Sequence, residues 1–179
     1  MNKKELEERL EKLENLIKKH FEIEDVEPTL TFKDIKVGES FKYKDLEFTK
    51  LEDEFALIDT YNDDYSDCVW DNVDNNYDKS LIRHYINRRY LDLMGIDEDD
   101  LLPVYNDDLV TLITKEQYEE HRDNIKSWDR WWATRSTYSN LAYGFCYIYN
   151  YGYIYNYYVY NTYGVRAGFN FKPDTIVSK

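Results

Sequence analysis

The chain has 179 residues, of which 42% are hydrophobic and 17% aromatic. That composition implies one folded core rather than a disordered acidic chain. The formal net charge of −13 disfavours direct binding to nucleic acid or to an anionic membrane. No apolar run approaches the roughly 20 residues of a membrane span, and Met1–Glu8 is too charged for a signal peptide. Cys68 and Cys146 form neither a disulfide framework nor a metal motif. A reduced cytosol is therefore the expected compartment.

Residues 2–21 predict a helix. Leu6, Leu10, Leu13 and Ile17 recur at spacings of 4, 3 and 4, with Lys3 and His20 at the outer seam positions, which is a heptad stripe. Pairs such as Glu8–Lys12 and Glu14–Lys18 support it at i,i+4. An isolated helix of this length is marginal in water, so its seam must pack. Self-association into a short coiled coil is the preferred partner, and docking on its own domain is the alternative. Residues 22–31 form an acidic linker containing Pro28. The remaining 32–179 is the expected domain.

Within it, residues 32–41, 46–51 and 54–59 alternate as short strands, with Gly38 and Glu52-Asp53 at turns. Residues 61–78 hold Asn62, Asp63, Asp64, Asp67, Asp71, Asp74 and Asp78. Counted from Asp71, the positions where a calcium loop needs Gly and Glu are Asn76 and Ile82, so a solvated acidic loop is the reading. Residues 78–94 predict a helix with Asp78 or Ser80 as N-cap, an apolar face of Leu81, Ile82, Tyr85, Ile86, Tyr90 and Leu93, and Gly95 just past its end. Arg83, Arg88 and Arg89 are expected to pair with surrounding acids. After the acidic connector 96–108 comes a short strand at 109–113. A helix follows at 114–125, with the capping box Thr114…Gln117. Trp132 is assigned to the core, and Arg135 and Arg166 to buried, hydrogen-bonded roles bridging strands.

Eleven of the nineteen tyrosines lie between Tyr138 and Tyr163, and no acidic residue occurs between Asp129 and Asp174. Tyr147, Tyr149, Tyr151, Tyr153, Tyr155 and Tyr157 fall at the strand period of two. Asn150-Tyr151-Gly152 supplies a turn, which predicts an antiparallel hairpin whose tyrosines share one face. With Tyr158 and Tyr160 these residues form the candidate partner-binding surface, because Tyr combines a large rigid contact area with a hydroxyl. Strand propensity and partial core packing are the competing reason for so many tyrosines.

Trp131-Trp132-Ala133-Thr134-Arg135-Ser136 resembles the W-W-L-R-S element of an uncharacterised family common in bacteriophages and prophages. Gly164-Val165-Arg166-Ala167-Gly168-Phe169 resembles that family's closing G-V-R-P-A run, with Ala133 in place of Leu and Ala167 in place of Pro. Ser80-Leu81-Ile82-Arg83-His84-Tyr85-Ile86-Asn87 is similar to its S-x-L-R-x-W-L-N helix. The family in turn resembles C-type-lectin-like and formylglycine-generating-enzyme-like domains. The resemblance covers most of residues 32–171. It implies an α+β, C-type-lectin-like domain with a small twisted antiparallel sheet and two helices, displaying a variable binding surface.

Catalytic signatures with specificity are absent from the sequence. His20, His84 and His121 are scattered, the glycines are isolated, and Ser136 has no His near it in sequence. The expectation is a non-enzymatic, phage-derived binding module without a cofactor or metal. It would be cytoplasmic in a bacterial host and oligomeric through Leu6, Leu10, Leu13 and Ile17, and would bind a host protein, in one version inhibiting a host defence protein. Alternatives are an acidic nucleic-acid mimic that blocks a basic groove, and a carbohydrate-binding or structural virion component.

Overall fold

Four consecutive buried residues, Phe55–Ile58, set the architecture of the computed structural model. Alternate residues of a strand face opposite sides, so a strand buried at every position must lie between two apolar layers. Ala56 and Ile58 enter the larger core, with Phe32, Phe41, Phe48, Ile82, Ile86, Tyr90, Phe169 and Phe171. Phe55 and Leu57 enter the second, with Leu51, Ile113, Tyr118, Trp128, Trp132 and Ile148. The structure describes residues 3–21, 29–63, 66–140 and 142–179, and in the first helix the side chains of 3–7 and 9–13.

The chain is mixed α+β, mostly sheet. Its strands are β1 (Ser40–Tyr43), β2 (Leu46–Lys50), β3 (Phe55–Ile58), β4 (Asp67–Val69), β5 (Leu101–Leu102), β6 (Val110–Leu112), β7 (Trp132–Thr137), β8 (Gly144–Ile148), β9 (Ile154–Tyr158), β10 (Thr162–Gly164) and β11 (Ala167–Phe171). They build two sheets where one small sheet was expected. The first runs β1-β2-β3-β11-β5, with β6 also paired to β11, and the second runs β4-β10-β7-β8-β9. Pairing is antiparallel except at the single bridge of β10 to β7, Gly164 to Trp132. Two residues, Val165 and Arg166, carry the chain from β10 in one sheet to β11 in the other.

Local signals place the helices. Ser80 Oγ accepts the Arg83 N–H at 3.2 Å and caps α2 (Leu81–Tyr85), which continues through a π-helical turn, Ile86–Tyr90, into α3 (Leu91–Met94). Gly95 ends the run at φ 66°, a left-handed conformation that suits glycine. Thr114 and Gln117 form the reciprocal capping box of α4 (Lys115–His121), which ends four residues short of the expected Ile125. Beyond it the chain turns, and Ile125 packs against the second core.

The first helix, α1, spans Lys3–Phe21. Leu6, Leu10 and Leu13 are exposed along it; the side chain of Ile17, like the linker 22–28, lies outside the described residues. Among the described residues, no helix is long and apolar enough to cross a membrane.

Candidate functional site

The tyrosine stretch folds as the hairpin β8–β9. Tyr149 N–H donates to the Tyr153 carbonyl and Gly152 N–H to the Tyr149 carbonyl, both at 2.8 Å. Gly152 sits at φ 77°, the left-handed position that closes a three-residue hairpin loop. An odd loop keeps odd positions opposite odd positions. Tyr147 therefore pairs with Tyr155 and Phe145 with Tyr157, so the tyrosines do share a face. Tyr118 on α4 fixes the tip from behind, its hydroxyl donating to the Gly152 carbonyl at 3.0 Å.

That face is a graded one. At its inner end Phe145 stacks on Trp70 and meets Tyr163 edge-on at 4.8 Å. Tyr147, expected on the exposed surface, is only 6% exposed. It lies against Phe145 and Tyr163 on one side and Trp131 and Tyr155 on the other. Burial, then the neighbouring tyrosines, pushes its phenol pKa up, so Tyr147 is the neutral floor of the site rather than its contact surface.

Over that floor runs a row of solvent-facing rings. Trp131 contacts Tyr149 at 5.2 Å, Tyr149 contacts Tyr151 at 5.6 Å and Tyr155 at 5.9 Å, and Tyr157 meets Tyr158, which stacks on Tyr160 at 5.2 Å. Trp131 is 45% exposed and Tyr155 50%, and Tyr151, Tyr153, Tyr157, Tyr158 and Tyr160 are exposed with them. Tyr158 pairs with Gly144. As an even position it starts on the other face of β9, and it joins the row through its contacts with Tyr157 and Tyr160. No charged residue occurs between Arg135 and Arg166, so this surface is uncharged on a strongly acidic chain.

Behind the sheet lies the group that holds it. Arg166 is fully buried. Its Nε donates to the Ile58 carbonyl at 3.0 Å, its Nη1 to the Lys126 carbonyl at 2.6 Å, and its Nη2 to Asp59 Oδ1. Its guanidinium lies 4.9 Å from the Trp128 ring and 5.2 Å from that of Trp132. Burial pulls its pKa down against the opposing pull of Asp59, and it remains a cation because an Arg starts so far above neutrality. Asp59 accepts a further hydrogen bond from Thr49 Oγ1 at 2.6 Å. A cleft of about 360 Å³ lies beside this group, between Arg122, Lys126 and the hairpin tip.

Arg166 thus has the buried bridging role read for it, whereas Arg135 does not. Arg135 is half-buried, with its guanidinium 4.4 Å over the Tyr105 ring. Sequence reasoning missed Asp59 altogether, although a carboxylate directly after Phe55-Ala56-Leu57-Ile58 was a signal of a buried charge needing a cation. It also missed that Trp131 crowns the tyrosine row. Ser136 Oγ accepts the Lys115 N–H at 2.8 Å and His121 faces Glu52 at 3.7 Å. In the acidic stretch Asp71 accepts the Val73 and Leu81 N–H groups and so pins the start of α2. Arg83 pairs with Asp108 and Asp78.

Compared with known proteins, the chain matches no family model, no curated protein and no solved structure.

Proposed function

We propose that the chain is a non-enzymatic binding module that engages a protein partner through the Trp131–Tyr160 aromatic row. One observation carries this reading: two groups of exposed rings, free of charge, are joined through the buried Tyr147, which contacts Tyr155 at 6.1 Å and Tyr157 at 6.4 Å, on a hairpin whose tip is held by Tyr118. Exposed aromatic area of this kind marks an interaction site, and rigid Tyr and Trp side chains lose little conformational entropy on binding. The exposed seam of Leu6, Leu10 and Leu13 on α1 supports self-association of the helix, which would add avidity to weak single contacts. The W-W and G-V-R resemblance supports a C-type-lectin-like fold and a phage origin. A bacterial host protein, in the sharper version a defence protein, is then the partner.

The test is capture from a bacterial lysate by the tagged wild-type chain and by a Tyr153→Ser/Tyr155→Ser variant, with the variant's folding checked by circular dichroism. The expected result is a protein retained by the wild type and lost by the folded variant. Equal retention by both would overturn the aromatic-row reading, and equal retention abolished by moderate salt would move the site to the acidic surface.

A further inference from the structure

We infer that β9 is a pairing edge for a second copy of this chain. β9 is the last strand of its sheet. Hydrogen bonds of Tyr149 with Tyr153 and of Val159 with Tyr143 fix the alternation along the hairpin. The backbone groups of Tyr153, Tyr155 and Tyr157 therefore point inward to β8, and those of Ile154, Asn156 and Tyr158 point outward. Among the described residues, nothing hydrogen-bonds the outward N–H or C=O of Ile154 and Asn156.

Two other edge strands here are blunted. Lys42 of β1 is bridged to Ser178 of the C-terminal segment. β4 carries Asp67, which faces Arg130 at 3.7 Å. Natural proteins place charges or covering segments on edges to prevent pairing. β9 has neither, on a chain with a net charge of −13.

The occupant follows from the register. An antiparallel pair related by a two-fold axis must set outward residues opposite outward residues, and the open groups are those of Ile154 and Asn156, because the Tyr158 carbonyl already accepts from the Asn161 N–H at 3.4 Å and the Tyr163 hydroxyl at 3.2 Å. The register centred on Tyr155 pairs these open groups with one another. About that centre Tyr155 meets Tyr155 of the second copy, Ile154 meets its Asn156, and Tyr153 meets its Tyr157. Each outward N–H then finds an outward C=O, aromatic rings meet aromatic rings on one face, and no like charges come opposite one another. The contact is isologous, as a closed dimer requires. This goes beyond the recognition face and leaves it open. Pairing joins two sheets edge to edge, and the two aromatic rows become one.

Residue-resolved amide exchange on the full chain tests this. Three proteins are compared: wild type, Asn156→Thr, which keeps an uncharged strand former on the edge, and Asn156→Lys, which puts on the edge a charge of the kind that blocks strand pairing. The Ile154 amide should exchange slowly in the first two and about tenfold faster in Asn156→Lys, since an unpaired edge amide is not protected by the sheet. Tyr155 and Tyr157, bonded to β8, should stay equally protected in all three and so report intact folding. An association made through α1 alone would leave the Ile154 amide fast in every protein and would overturn the proposal. Equal protection of Ile154 in wild type and Asn156→Lys would do the same, as would protection seen only after a different protein is added.

Discussion

Asp59→Ala should be among the most damaging single changes in the chain. Asp59 is the carboxylate facing the fully buried Arg166, and it is itself 3% exposed. Its removal leaves a cation in the second core between Trp128 and Trp132 with two carbonyls for company, and it frees the buried Thr49 hydroxyl. Breaking one partner of a buried pair typically costs about 3–5 kcal/mol. Lys126 Nζ lies 3.6 Å from Asp59 and is also bridged to Glu47 at 3.3 Å; itself a cation, it adds to the positive charge left beside Arg166. For a chain of this size about 4 kcal/mol lowers the melting midpoint by roughly 8–16 °C. Equilibrium unfolding in urea gives the free energy directly, and Arg166→Met, made alone and with Asp59→Ala, completes the cycle. The double change should cost clearly less than the sum of the singles. A loss under about 1 kcal/mol for Asp59→Ala, well below the range for a buried pair, would show that water reaches Arg166, and the account of the second core would fail.

Two further outcomes follow from burial. Gly168→Ala places a Cβ 2.1 Å from the Phe55 ring; overpacking of this kind costs about 1–3 kcal/mol, and Gly168→Ala/Phe55→Leu should recover part of it in thermal melts, whereas a wild-type midpoint for Gly168→Ala would refute the close approach of β11 to β3. Alkaline pH should also unfold the chain. Burial pushes the Cys68 thiol up to about 11 from 9.0 and the Tyr61 and Tyr77 phenols up to about 12 from 10.0. Each group holds its proton more tightly when folded, so its contribution is whole below the unfolded pKa and is lost as pH rises through the folded one. The stability should therefore fall between about pH 9 and 12, with Tyr77 alone accounting for on the order of 3 kcal/mol. Melting midpoints that stay level across that window would contradict this burial, and Tyr77→Phe should flatten the upper part of the fall.

Sequence by itself determined what near neighbours decide. The caps at Ser80 and Thr114, the stop at Gly95 and the Asn150-Tyr151-Gly152 turn are all found where the residue types put them, because each rests on backbone groups within a few residues. The shared face of Tyr147, Tyr149, Tyr155 and Tyr157 follows from the same turn, since loop length alone fixes the parity. Tertiary structure decided which layer each face meets. Trp132 is buried, as the sequence predicts, but its packing against Tyr118 of α4 and the exposure of its neighbour Trp131 beside the tyrosines are set by tertiary packing. Tyr147 and Tyr155 are paired and identical, yet only Tyr147 has Phe145 and Tyr163 beneath it. The division into two sheets and the bond from Arg166 to Asp59, 107 residues away in sequence, belong to the same class. No local pattern encodes them, because they depend on which distant apolar face each strand is packed against.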